Sequence, residues 1–193
     1  MKSTSPVSRA VARLRLRAAT ELGENARTFG APFIRNRGVL VIGDDFAMAA
    51  TPVQSHLVVE RGARLVIGRG VRIGSGAAIS CASEIAIGDG VHLGRGVLVM
   101  DSDFHEAEAM GSPGASSPVS IGAGAFLGDR VVALKGAVIG EGARVGQDSV
   151  VSGVIPPGAF ASGVPARTRR ETSAPSADLE ARVGVRRADD AHR

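Results

Sequence analysis

An aliphatic residue recurs at every sixth position along most of this chain, and that spacing limits the possible folds more than any other feature. From Ile67 the series runs through Ile73, Ile79 and Ile85. It resumes two residues on at Ile87, Leu93 and Val99, then continues after an interruption through Ile121, Leu127, Ala133, Ile139, Val145 and Val151. Glycine follows directly at Gly68, Gly74, Gly88, Gly94, Gly122, Gly128, Gly140 and Gly146, and a less regular copy begins at Ile42-Gly43. A period of six matches neither the 3.6 of a helix nor the two of a single long strand. It does match a solenoid in which each unit is a short strand and a tight turn, so that three units close a triangular coil of about 18 residues. The expected fold class is an all-β solenoid, with each aliphatic pointing inward onto its counterpart one coil away.

Composition agrees with a narrow core. The 193 residues include 26 Gly but only six Phe, and no Trp or Tyr, so large rings that fill wide cores are scarce. The formal charge is +4, and neither a dense basic face nor stacking aromatics is present, which argues against a nucleic-acid partner. Cys81 is the single cysteine, so no intrachain disulfide and no cysteine cluster for zinc can form. No run approaches the ~18 apolar residues of a membrane span. The first stretch lacks the apolar segment of a secretory signal. The expected location is the cytoplasm.

Four features depart from the repeat. Residues 1–30 read as an N-terminal helical cap, with Val7, Val11, Leu14, Ala18 and Leu22 on one face and Arg9, Arg13 and Arg17 on another. Such a helix covers the open end of a solenoid, and attachment to an anionic membrane surface is the alternative use of the same pattern. The offset between Ile85 and Ile87 reads as a corner bulge. Between Val99 and Ile121 a loop of about 101–118, containing Gly111, Pro113 and Gly114, leaves the solenoid, and function concentrates in such loops. The repeat domain spans 31–170, and residues 171–193 read as a mobile tail rich in Ser, Pro, Ala and mixed charge.

Three stretches carry a family resemblance: 119–130 (VSIGAGAFLGDR), 134–143 (LKGAVIGEGA) and 155–167 (IPPGAFASGVPAR). Together with the hexads from about residue 38 to 170, they resemble the hexapeptide-repeat acetyltransferases, and among these the sugar and glycan O-acetyltransferases. The resemblance implies a left-handed parallel β-helix, acetyl-CoA as acyl donor, no metal, and a homotrimer with the cofactor in the cleft between neighbours.

His105 is the candidate general base. It lies in the excluded loop, where the resemblance places a catalytic histidine, and an imidazole of ordinary pKa near 6.5 suits removal of a hydroxyl proton during attack on a thioester. Asp101 and Asp103 are candidates to orient it, with Glu106 a third. For the cofactor the resemblance points to Phe126, Gln147 and Ser152, and to Arg167 and Arg170 near the CoA phosphates, where guanidinium donors fit phosphate oxygens. Lys135 is a further cation. The stretch Ser75 to Ile79 lacks the polar Asn that the galactoside and maltose enzymes carry there, so the acceptor is expected to be a different hydroxyl compound: a glycan precursor or a glycosylated metabolite. Two other readings are an N-acyltransferase of an amino-sugar nucleotide and a non-catalytic hexapeptide scaffold. The metal-dependent carbonic anhydrases of this fold need three converging histidines, and His56, His92 and His105 lack that spacing.

Overall fold

The computed structural model describes residues 6–103 and 114–169. They form a parallel β-solenoid of triangular section with one short helix, Pro6–Arg15, at its N-terminal end. Face A has seven strands, from Glu21–Leu22 to Val154–Ile155. Face B has eight, from Arg27–Phe29 to Phe160–Ser162 plus the returning Arg167–Arg169. Face C has six, from Phe33–Asn36 to Val150–Val151. Each strand pairs with its counterpart one coil away. Phe126 lies beside Arg144, eighteen residues on, and His92 beside Arg72, twenty residues back.

The inward positions form three continuous stacks. Ile42, Ile67, Ile87, Ile121, Ile139 and Ile155 line face A. Met48, Ile73, Leu93, Leu127, Val145 and Ala161 line face B. Leu57, Ile79, Val99, Ala133 and Val151 line face C, and all seventeen are buried. These stacks fill the prism because strands of adjacent coils lie about 4.8 Å apart, so each side chain rests on the next, and the longer strands bury a second residue, as Leu65 does beside Ile67.

The corners explain the glycines. At the A–B corner the first glycine, such as Gly68, has no room for a side chain: a Cβ would lie 2.7 Å from the backbone nitrogen of Asp89 in the next coil. The residue two positions on takes positive φ, which is Gly70 at 65° but Asn25 and Asp45 in the first coils. An aspartate at the A–B corner, Asp44 or Asp89, or at the B–C corner, Asp129, also caps the coil before it. The Oδ1 atoms of Asp44, Asp89 and Asp129 accept from the backbone N–H of Glu24, Arg69 and Arg95 at 2.7–2.8 Å.

Two expectations are corrected. The offset at Ile85 is not a bulge. Strands Ala78–Cys81 and Glu84–Ile87 are each longer than in later coils, so Cys81 and Ile85 become two extra inward residues on either side of a tight Ala82-Ser83 corner. The helical cap is shorter than 1–30, because Glu21 and Leu22 already pair with Val41 and Ile42 in the first coil. The helix turns Ala12 and Leu16 into the core and leaves Val11 and Leu14 exposed, so the apolar stripe read from the sequence is not the face that seals the prism. Residues 170–193, including the tail, lie outside the described residues.

Candidate active site

The chain leaves the solenoid at the corner between faces C and A, through a narrow neck. Ser102 bridges Ser116 in antiparallel fashion, Asp103 N–H donates to Ala115 at 3.2 Å, and Ser117 N–H donates to the Asp101 carbonyl at 2.9 Å. His105 and Glu106 lie outside the described residues, which resume at Gly114. The neck fixes both ends of the segment that carries them.

Asp101 is fully buried, directly above Cys81 in the preceding coil. Its Oδ1 accepts from Ala82 N–H at 2.7 Å and its Oδ2 from Ser83 N–H at 2.8 Å, with the Cys81 thiol 3.6 Å away. At the corner where the loop departs, the Asp101 carboxylate satisfies those two backbone donors. Burial pushes the Cys81 thiol up to about 12, with the charge of Asp101 and its hydrogen bond adding to the effect. Asp103, half exposed, pairs with Lys135 of the following coil. Both carboxylates thus hold the neck in place.

The cofactor candidates separate into two clefts. Ser152 and Arg167 line a cleft of about 320 Å³ with Gly153, Val154, Ala166 and Thr168. It lies on the same C–A edge as the loop neck and Lys135. Arg167 is exposed, and its guanidinium donates to the neighbouring Ala166 carbonyl at 3.1 Å. Arg170 lies outside the described residues. Phe126 and Gln147 line a second cleft of about 330 Å³, on face B and its corner with face C, with Asp129, Arg144 and Phe160.

Arg144 and Phe160 were not singled out by motif. They occupy the outward position of Phe126 in the next two coils, and the repeat register alone identifies them. His92, one coil before, stacks on Phe126 at 5.1 Å and 7°, while the Arg144 guanidinium sits 5.1 Å over the ring centroid. Phe126 is thus packed between His92 of the coil before and Arg144 of the coil after, and stays 36% exposed to the cleft. Asp129 is engaged by Arg95 through its side chain and backbone N–H, which holds its carboxyl below the usual range. No group of three or more His, Cys, Asp or Glu side chains able to hold a metal occurs among the described residues. Nor is any described helix long and apolar enough to cross a membrane.

No protein-family model matches the chain. WbbJ of Escherichia coli K12, assigned to lipopolysaccharide biosynthesis as an O-acetyl transferase, is 31% identical over 163 residues, covering 74% of this chain and 78% of its own. Galactoside O-acetyltransferase of the same organism is 34% identical over 90 residues, covering 45% and 44%. Among solved structures, AntD, an N-acyltransferase from Bacillus cereus in complex with dTDP and 3-hydroxybutyryl-CoA, superposes with a TM-score of 0.69 at 22% identity, over 89% of this chain and 93% of that one. The hexapeptide-repeat acetyltransferase VCA0836 from Vibrio cholerae superposes with a TM-score of 0.59 at 21% identity, over 88% and 82%. With the triangular coils, the hexad stacks and this level of identity to WbbJ, the chain belongs to the hexapeptide-repeat acetyltransferases of left-handed β-helix fold and is an acyltransferase.

Proposed function

We propose that this enzyme transfers an acetyl group from acetyl-CoA to a hydroxyl of a sugar, a glycan precursor or a glycosylated metabolite, with His105 as general base. The observation that carries the reading is the C–A edge. The neck of the His105 loop, Lys135, and the Ser152–Arg167 cleft follow one another along that edge in successive coils. A thioester bound along it, with its phosphates at Arg167 and Arg170, would direct its acetyl end toward the loop. His105 takes the acceptor proton as the oxygen attacks the thioester carbonyl. The tetrahedral intermediate then collapses, the C–S bond breaks, and the imidazolium returns the proton to the departing thiolate. Similarity to WbbJ and galactoside O-acetyltransferase supports a sugar-related hydroxyl acceptor, and the acetyl-CoA complex of VCA0836 supports the donor.

The second cleft belongs to the same reading if the enzyme is a homotrimer. Phe126 and Gln147 lie on a different part of the prism from Ser152 and Arg167, so a cofactor touching both sets is held between two copies, each contributing one set. The enzyme acts in the cytoplasm, where acetyl-CoA is available. N-acylation of an amino-sugar nucleotide is the second reading, favoured by the superposition on AntD.

His105→Ala separates these roles from a structural one. With acetyl-CoA and a panel of hydroxyl and amine acceptors, CoA release should fall by about 10²–10⁴ in kcat with little change in melting temperature. Unchanged turnover removes His105 from the mechanism. Turnover confined to the amines replaces the O-transfer reading with N-transfer.

A further inference from the structure

The N-terminal helix has two apolar sides, and the solenoid uses only one. Ala12 and Leu16 are completely buried, one turn apart, against the first coil. Leu14 is 63% exposed and Val11 37% exposed. At 100° per residue these two lie within 60° of each other and on the side of the helix away from the buried pair. Arg15 ties one flank down, donating to the Gly30 carbonyl at 2.8 Å and to Thr28 Oγ1 at 3.3 Å. That flank adjoins exposed Phe29, which extends the apolar surface onto the first coil.

Arg9 and Arg13, four residues apart, lie along the opposite flank, between the buried pair and the exposed stripe, and Arg17 follows in the turn just past the helix end. All three are exposed, and among the described residues none makes an ion pair. Glu24 lines a cleft with Arg9 and Arg13. The first twenty residues contain five Lys or Arg and no Asp or Glu.

We propose that this end of the prism docks on an anionic membrane surface, with Leu14 and Val11 entering the headgroup boundary and the arginine row meeting lipid phosphates. An apolar stripe beside a row of unpaired cations is the pattern of an interfacial helix. A second copy of the chain fits less well, because this helix face carries no carboxylate to receive the guanidinium groups, whereas acidic lipids supply one phosphate each. The proposal is independent of the acceptor and of His105.

Co-sedimentation of the full chain with vesicles tests it without any activity readout. The protein should bind vesicles of phosphatidylcholine with phosphatidylglycerol and not those of phosphatidylcholine alone, and binding should weaken as salt rises from about 0.1 to 0.5 M. Leu14→Glu should lower partitioning by about 10-fold or more while leaving the melting temperature unchanged, since Leu14 packs on nothing in the core. Replacing Arg9, Arg13 and Arg17 together by Gln should lower it by about 100-fold. Absence of binding, or equal binding to neutral and anionic vesicles, overturns the proposal. So does a Leu14→Glu variant that changes the molecular mass in solution but not the vesicle binding, which would make the stripe a contact between copies.

Discussion

At the scale of single residues, the Asp101–Cys81 pair links the site to the stability of the fold. Removing the carboxylate in Asp101→Ala leaves two backbone N–H groups at the Ala82-Ser83 corner without an acceptor. The expected loss is about 2–4 kcal/mol in urea unfolding. Asp101→Asn should recover part of it, since an amide oxygen can still accept one of the bonds. Cys81 makes a separate prediction. Its pKa is raised from 9.0 to about 12 in the folded protein, so above pH 9 the unfolded chain releases a proton that the native state keeps. Stability should therefore fall with rising pH from about 9, by at most about 1.4 kcal/mol per unit, and the decline should end near pH 12. Chemical denaturation between pH 8 and 11 would show this slope in the native sequence and its absence in Cys81→Ala.

At the scale of elements, the corner is the unit that the six-residue repeat encodes. Gly122 shows how closely the coils stack, because a Cβ there would sit 2.4 Å from the Glu141 backbone nitrogen. Gly122→Ala must push two coils apart and should cost about 1–3 kcal/mol, read as a lower denaturation midpoint. The hexad register made these corners legible from sequence, whereas Phe126, Gln147 and Ser152 were singled out by the family resemblance. Asp101 was legible only as a candidate beside a catalytic loop. Its hydrogen bonds go to residues eighteen and nineteen positions earlier, brought near by one turn of the solenoid, and no local pattern announces them. The helix shows the same limit. In the sequence Val7, Val11, Leu14 and Ala18 form the more continuous apolar stripe, yet the first coil seats Ala12 and Leu16.

At the scale of the whole molecule, the faces differ in character. Face B carries Arg72, His92, Phe126, Arg144 and Phe160 outward in successive coils. Face A presents Val138, 41% exposed, and Val154, 70% exposed, beside the C–A edge. Aliphatic side chains on a flat, rigid face suit burial against another copy, and a closed trimer would place this edge at its interior. On the proposed trimer, Val154→Glu together with Val138→Glu should reduce the mass measured by light scattering from three chains to one. A monomeric native protein, or a double variant that still assembles, would remove this surface from the interface.

The sequence by itself determined the architecture, because a six-residue period with one aliphatic and one glycine leaves few ways for a chain to bury its apolar groups and turn. It also marked where the repeat breaks, at the segment holding His105. Tertiary structure alone decided which residues share an edge. Asp101, Lys135, Ser152 and Arg167 are scattered over 67 positions of chain, and only the pitch of the coil brings them to one side of the prism while sending Phe126 and Gln147 to another. The physical reason is that inward positions are fixed by burial, residue by residue, whereas outward neighbours are set by how many residues each corner absorbs, and that number follows from packing around the whole turn.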